Sequence, residues 1–452
     1  MSGKSKLNAP SSRLRVPLVR WLSVCLVAAA AVGMGLAARP ACAEGDAKPV
    51  ETSKKPDAAA KQVEPVDPVA EKFAELRKLH RTDPAKAAKG FAEFITEFPK
   101  SEWTDDAQYW LALSLDRSRA GRQEVIAAYE AVVKKHPESS YRDDALFAVA
   151  ETWRRHARRA EDYDQAVKAY LDFIKRSPDS KRVPEAKLKI GEVYRQVNRD
   201  KEAAVFFQQV VTDHPETTYA RRANMNLAAT WLRLGRVDDA LALYEKLLTE
   251  ELSHAERIAV QLGMVDCWLT RDGGVEKARE LCEQIRAEAT ERKSLEDFTE
   301  YRTREKLAGY WLGLKKYVEA EAEYEAYVAR FGTSVGVWQA KLNIGTIRMA
   351  AGKFDEARKV FAEIVRHQAE NPTGKPAWYV PRAMYLDAQT FELEKKPEEA
   401  RARYAKLAEQ FPRDSYGRRA AERVKAIDNE ARKHAEEEKK KPPDAKDAAE
   451  KK

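Results

Sequence analysis

Along most of the chain, apolar side chains recur at three- and four-residue steps in blocks of about a dozen residues, separated by short polar breaks. The stretch Pro184 to Thr217, PEAKLKIGEVYRQVNRDKEAAVFFQQVVTDHPET, shows the arrangement most clearly. Its first half predicts a helix over about Glu185–Val197, with Leu188, Ile190, Gly191 and Tyr194 on one side. Asn198 to Asp200 interrupt the period, and a second helix follows over about Lys201–Thr212 with Ala203, Phe207, Val210 and Val211 inward. Pro215 stops that helix, and His214 before it is pushed away from helical angles. Helices this short are marginal alone in water, so the hairpin requires neighbours.

The neighbours are copies. Ala203–Phe207 recurs as Ala87–Phe91, Ala166–Tyr170, Ala240–Tyr244, Ala320–Tyr324, Ala357–Phe361 and Ala400–Tyr404, with degenerate versions at Val125–Tyr129 and Ala278–Cys282. Twelve residues after the first member stand Pro99, Pro137, Pro178, Pro215 and Pro412, and Gly332 takes the same place once. In the first helix a small residue recurs as Ala112, Ala150, Gly191, Ala228, Ala308, Gly345 and Ala388. Three residues later a large one follows: Leu115, Trp153, Tyr194, Trp231, Trp311 or Phe391. The logic is steric. Small residues let two helices cross closely, the aromatic fills the adjoining gap, and proline turns the chain back. Each hairpin remains apolar on two sides, so stacking continues in one dimension.

This pattern resembles the tetratricopeptide repeat, whose period is about 34 residues. The endings Phe98 to Ser101, His136 to Tyr141 and His214 to Tyr219 are similar to the variant in bacterial envelope proteins, namely the outer-membrane-assembly lipoproteins and the Tol–Pal system coordinators. The resemblance implies an all-α, right-handed superhelical solenoid of about nine hairpins over residues 68–415. A capping, increasingly charged helix follows over 416–441 and a disordered tail over 442–452. The repeat register breaks at Leu252, in the polar segment Glu291–Glu300, and around Asn371–Pro381 with Pro372, Gly374, Pro376 and Trp378. The last two read as inserted loops.

Charge changes the picture little. The chain has 81 Lys+Arg against 73 Asp+Glu, but six of the basic residues and no acid fall in residues 1–43. The remainder is nearly balanced, so no nucleic-acid partner is inferred. Residues 1–43 read as a cleaved signal peptide, with basic residues before an apolar run from Trp21 to Ala38 and Ala41-Cys42-Ala43 as the cleavage site. An uncleaved anchor is the alternative, since the run is just long enough to span a bilayer. Cys42 lacks the aliphatic residue that precedes a lipidated cysteine. Residues 44–67, rich in Lys, Pro, Ala and acids, read as a disordered linker. The protein is therefore expected to be exported and periplasmic or envelope-associated, near a membrane.

No phosphate-binding glycine loop, H-E-x-x-H or nucleophile–base grouping occurs, so no cofactor, metal or catalytic residue is assigned and an enzyme is not expected. Beyond residue 43 the cysteines are Cys267 and Cys282, on the two helices of one hairpin. A disulfide and a pair of small core residues both suit an exported protein.

In tetratricopeptide superhelices the first helices line a concave groove that receives a peptide or helix. The resemblance assigns to it Tyr109, Glu151, Arg154, Glu192, Arg195, Asn226, Arg233, Val265, Trp268, Met349, Tyr385 and Gln389, with Trp268 as a candidate anchor. The Lys/Asn carboxylate clamp of some members is absent; only Asn226 resembles part of it. The expected function is a non-catalytic scaffold that binds a protein segment of an envelope complex. The alternative is a wall-associated or structural protein whose repeats bind glycan or self-assemble.

Overall fold

The computed structural model describes residues 67–440, apart from 294, 333 and 371–377. The signal-peptide and linker readings and the last residues of the chain lie outside the described residues. All regular structure described is helical. The helices are α1 Pro68–Thr82, α2 Pro84–Glu97, α3 Thr104–Arg117, α4 Arg122–Lys135, α5 Arg142–His156, α6 Ala160–Arg176, α7 Val183–Gln196, α8 Asp200–Asp213, α9 Thr218–Arg233 and α10 Val237–Leu248. They continue as α11 His254–Thr270, α12 Val275–Glu291, α13 Glu296–Gly313, α14 Tyr317–Phe331, α15 Val335–Ala350, α16 Phe354–Glu370, α17 Tyr379–Leu393, α18 Pro397–Gln410 and α19 Ser415–Lys440. Within the two units, eight consecutive pairs pack as hairpins among the described residues, and α19 packs on α18 and α17 at the end. The chain divides into two compact units, and the division falls within α12, between Ala278 and Arg279.

Two turn designs repeat. Inside six hairpins the first helix ends on a left-handed residue: Arg119, Asn198, Gly235, Lys315, Gly352 or Lys395. The next N–H then reaches back to a carbonyl five residues earlier, as in Arg199 N to Tyr194 O at 2.8 Å and Arg236 N to Trp231 O at 2.9 Å. That bond satisfies an otherwise orphaned carbonyl and reverses the chain. Between hairpins, the residue before proline leaves helical angles, as at Phe98 (φ −122°, ψ 57°) and His214 (φ −139°, ψ 51°).

The small-residue rule has a measurable basis. A Cβ on Gly191 would lie 2.5 Å from the Phe207 ring, and one on Gly345 would lie 2.4 Å from the Phe361 ring. These glycines and rings sit at the same two repeat positions, in different units. Cores run on from hairpin to hairpin. One joins Ala112, Tyr129, Phe147, Tyr170 and Ile190, the next joins Leu188, Phe207 and Leu227, and a third joins Ala228, Tyr244 and Val260.

Within each unit the first helices form the closer-packed layer. Helix α9 packs on both α7 and α11, and α15 on both α13 and α17. Second helices stand apart with clefts between them. One, of about 360 Å³, opens between α4 and α6 over Leu146 and Val149 of α5. Its counterpart, about 290 Å³, lies between α14 and α16 over Ile344 of α15. The inner face of each unit is therefore the first-helix face.

The structure corrects two sequence expectations and decides a third point that was left open. The segment Glu291–Glu300 is no loop, because α12 runs to Glu291 and α13 starts at Glu296. Its Glu300 is only 1 % exposed. Arg304 at 2.6 Å, Arg330 at 2.8 Å and Arg286 at 3.8 Å surround that carboxylate. Pro381, read as part of an insertion, lies in the first turn of α17, where a missing N–H costs nothing. Cys267 and Cys282 are buried thiols, the small-core-residue alternative.

Candidate functional site

The residues assigned to the groove fall into different environments. In the 67–278 unit, Tyr109 stacks on Tyr141 at 4.4 Å. Glu151 and Arg154, one helical turn apart on α5, form a two-pronged ion pair at 3.0 and 2.7 Å. The Tyr170 hydroxyl of α6 donates to the same carboxylate. Burial pushes the Glu151 carboxyl up, but the Arg154 hydrogen bonds and charge, with Tyr170, outweigh it and leave the carboxyl below its ordinary range. This constellation is closed: each polar group is satisfied by another.

One repeat on, the same positions are open. Glu192 of α7 is committed to Lys189 at 3.2 Å and Arg222 of α9 at 2.7 Å. Half-buried Arg195 lies over the Phe207 ring at 5.9 Å and forms no salt bridge among the described residues. Burial, and the like charge of Arg233, hold its guanidinium below the ordinary arginine range despite Glu192. Tyr244 of α10 occupies the place of Tyr170, and its own repeat offers Ala229 and Leu232 where Glu151 and Arg154 stand. Its hydroxyl finds no hydrogen-bond partner among the described residues. Burial raises the phenol well above its usual range, and the charges of Cys267 and Asp266 add to this against Arg195.

Three assigned positions behave otherwise than expected. Val265 is 0 % exposed and offers nothing to a partner. Trp268 is half-buried in the α9–α11 core, with Arg271 at 5.2 Å and Lys277 at 4.5 Å over its ring. With two cations over it and its body packed on the core, the ring is no free anchor. Arg233 points to the preceding turn, holding Asp200 at 3.2 Å and Asn198 at 2.8 Å. Asn226 remains partly exposed on α9. In the 279–440 unit, Met349 and Gln389 are partly exposed, and Tyr385 packs between Tyr404 at 5.2 Å and Tyr416 at 5.6 Å.

Sequence reasoning treated Tyr244 only as core. A signal was available, since in two other hairpins the tyrosine at this second-helix position meets a first-helix acid: Tyr170 with Glu151, and Tyr404 with Glu392 at 2.8 Å. Tyr244 is a tyrosine whose acid is missing. Gln261 also escaped notice; its buried side-chain oxygen has no partner among the described residues.

On the edge of this unit, Asp162 accepts from the N–H groups of Arg158 at 3.0 Å and Arg159 at 3.2 Å and from Arg122 at 2.7 Å. The Arg158 N–H, the Arg122 guanidinium and the Arg159 N–H together hold its carboxyl at about 2, against an ordinary 3.8. A carboxylate depressed on folding stabilises the fold above its ordinary range and ceases to do so as pH falls through the folded value. Asp162→Asn is therefore expected to lower urea midpoints at about pH 6, and the gap from the native chain should close between about pH 4 and 2. A gap constant over that window would mean that the carboxylate charge is immaterial.

Among the described residues no helix is long and apolar enough to cross a membrane, and no cluster of three or more metal-ligand side chains occurs. Residues 75–259 match a family described as outer membrane lipoprotein. Residues 312–374 and 342–415 match the tetratricopeptide repeat. No curated protein matches the chain. Among solved structures, a tetratricopeptide repeat protein from Parabacteroides merdae is 14 % identical, with 60 % of this chain and 96 % of that chain covered and a TM-score of 0.40. The C-terminal part of a repeat-containing protein from Cytophaga hutchinsonii is also 14 % identical, covering 59 % of this chain and 98 % of that chain at a TM-score of 0.44.

Proposed function

Since the chain is a tetratricopeptide-repeat protein, similar over residues 75–259 to the outer membrane lipoprotein family, we propose that it is a non-catalytic scaffold of the cell envelope. The inner, first-helix face of its 67–278 unit takes up a segment of a protein partner. The observation that carries this reading is the contrast between the α5–α6 hairpin and the two hairpins that follow it. Arg154 and Tyr170 are satisfied internally by Glu151, whereas Glu192, three residues before Arg195, is drawn to Lys189 and Arg222, and Tyr244 has Ala229 in the acid's place. A half-buried guanidinium and a phenol beside it suit an incoming carboxylate, which accepts from both. The partner segment accordingly carries an acidic side chain or a C-terminal carboxylate at this point.

Photo-crosslinking in the native envelope tests the proposal. A benzophenone amino acid at Asn226, on the inner face, is expected to capture a protein, and Arg195→Glu should reduce that capture severalfold with helicity unchanged. The same probe at Val205, 54 % exposed on second helix α8, should not capture it. Equal capture at both positions, or capture indifferent to Arg195→Glu, would move the site off this face.

A further inference from the structure

Helices α5 and α6 are joined otherwise than in six of the other hairpins. Six turns close on a left-handed residue, but here Ala157 (φ −64°, ψ 128°) and Arg159 (φ −121°, ψ 162°) are extended. The reversal is held instead by Asp162, which spends its carboxylate on the Arg158 and Arg159 N–H groups and on Arg122. Arg122 comes from the neighbouring hairpin and is fixed from its other side by the Trp153 ring, 4.5 Å away.

This arrangement leaves positive charge without an acid. The next turns neutralise their arginines: Arg199 pairs with Glu202 at 2.8 Å, Arg236 with Asp239 at 2.7 Å, and Arg271 with Asp238 at 2.8 Å. Arg158 and Arg159 are exposed, and their side chains have no ion pair among the described residues. Together with Arg122, His156 and Asp162 they line a depression of about 430 Å³ on the edge of the unit, away from Arg195 and Tyr244. Three guanidinium groups face one carboxylate, an excess of two positive charges. Arg117 and Arg119, also exposed, stand on the turn that leads into Arg122.

We infer that this depression is a binding site for a phosphoryl dianion, taken from a lipid headgroup or a free phosphate ester, with Arg158 and Arg159 as its principal ligands. The chemistry follows from count and shape. A phosphomonoester carries a charge of about −1.5 to −2 near neutral pH and presents three acceptor oxygens. That charge matches the excess, where a single carboxylate would leave one guanidinium unanswered. Planar forked donors meet phosphoryl oxygens in pairs, which an ammonium cannot do. Arg122 and Asp162 anchor the floor, so the backbone of the two ligand residues is set before the anion arrives. His156, also lining the depression, adds a ring N–H donor.

Calorimetric titration of the full chain with inorganic phosphate, and co-sedimentation with phosphatidylcholine vesicles with and without phosphatidic acid, test the assignment. Phosphate is expected to bind with 1:1 stoichiometry, to be weakened by salt, and to compete with sulfate but not with acetate. The Arg158→Gln/Arg159→Gln pair should lose at least about tenfold in affinity, whereas Arg199→Gln, on the next turn, should lose nothing. Circular dichroism of the double variant checks its fold. Sedimentation with the phosphatidic acid vesicles alone, reversed by phosphate, identifies a headgroup. Phosphate binding without vesicle binding identifies a free ester. Equal affinity in the double variant, or acetate competing as well as sulfate, would overturn the assignment.

Discussion

Replacing Glu300 by alanine is expected to be among the most damaging single changes in the 279–440 unit, at about 3–5 kcal/mol. Its carboxylate is 1 % exposed and faces Arg304, Arg330 and Arg286. Glu296 binds Arg330, and Glu323 binds Arg304 at 3.1 Å, so three acids meet three arginines. Removing the central acid leaves guanidinium groups crowded around a cavity with one countercharge too few. An exposed pair such as Arg199–Glu202 is the control, since water screens it and its loss should cost little. Hydrogen exchange should quicken in α13 and α14. Substituting Glu300 and Arg304 together by methionine should recover much of the loss, because apolar packing can replace a buried network that breaking one partner would ruin. A cost for Glu300→Ala no larger than that of the exposed pair would show that the carboxylate is solvated in solution.

Phe207→Ala is expected to cost about 3–5 kcal/mol in the other unit, by leaving a cavity at a helix crossing. The ring is fully buried and touches the face of α7 where Gly191 has no side chain. Gly191→Ala alone should cost about 1–3 kcal/mol, because its methyl would stand 2.5 Å from the ring. The two changes are expected to be non-additive. A methyl that clashes with phenylalanine finds room beside a smaller residue, so Phe207→Leu with Gly191→Ala should be less harmful than the sum of the single changes. Since each hairpin touches its neighbours, the loss of protection should concentrate in α7, α8 and α9. Strict additivity would mean that the two side chains do not meet.

How much of this was legible in the sequence depends on the range of the interaction. The hairpins, their turns and the pairing of Gly191 with Phe207 follow from spacing within one repeat and its neighbour, because a repeat buries its face against its own second helix and the next copy. A local period records such contacts directly. The inner-face assignment was legible in part. Glu151, Arg154, Glu192 and Arg195 share one face by helical spacing, but spacing does not say that Glu151 satisfies Arg154 while Glu192 is drawn to Lys189 and Arg222. That choice is made by α9, a different hairpin.

The same reason separates the remaining cases. Val265 and Trp268 sit at groove-facing repeat positions, yet Val265 is fully buried, and Trp268 is packed on the α9–α11 core and covered by Arg271 and Lys277. Glu300 lies in a polar segment and reads as solvated, because nothing in its neighbours announces that Arg286 and Arg330 converge on it. The sequence by itself determined the repeat, its helix ends and the alternation of inner and outer helices, all consequences of short-range sterics and proline. Only the tertiary structure decided which charges are answered and which are left open, at Arg195 and at the Arg158–Arg159 turn. The ion pairs that decide this, such as Arg222–Glu192 and Arg122–Asp162, join different hairpins, and which side chains reach across is not encoded in any local period.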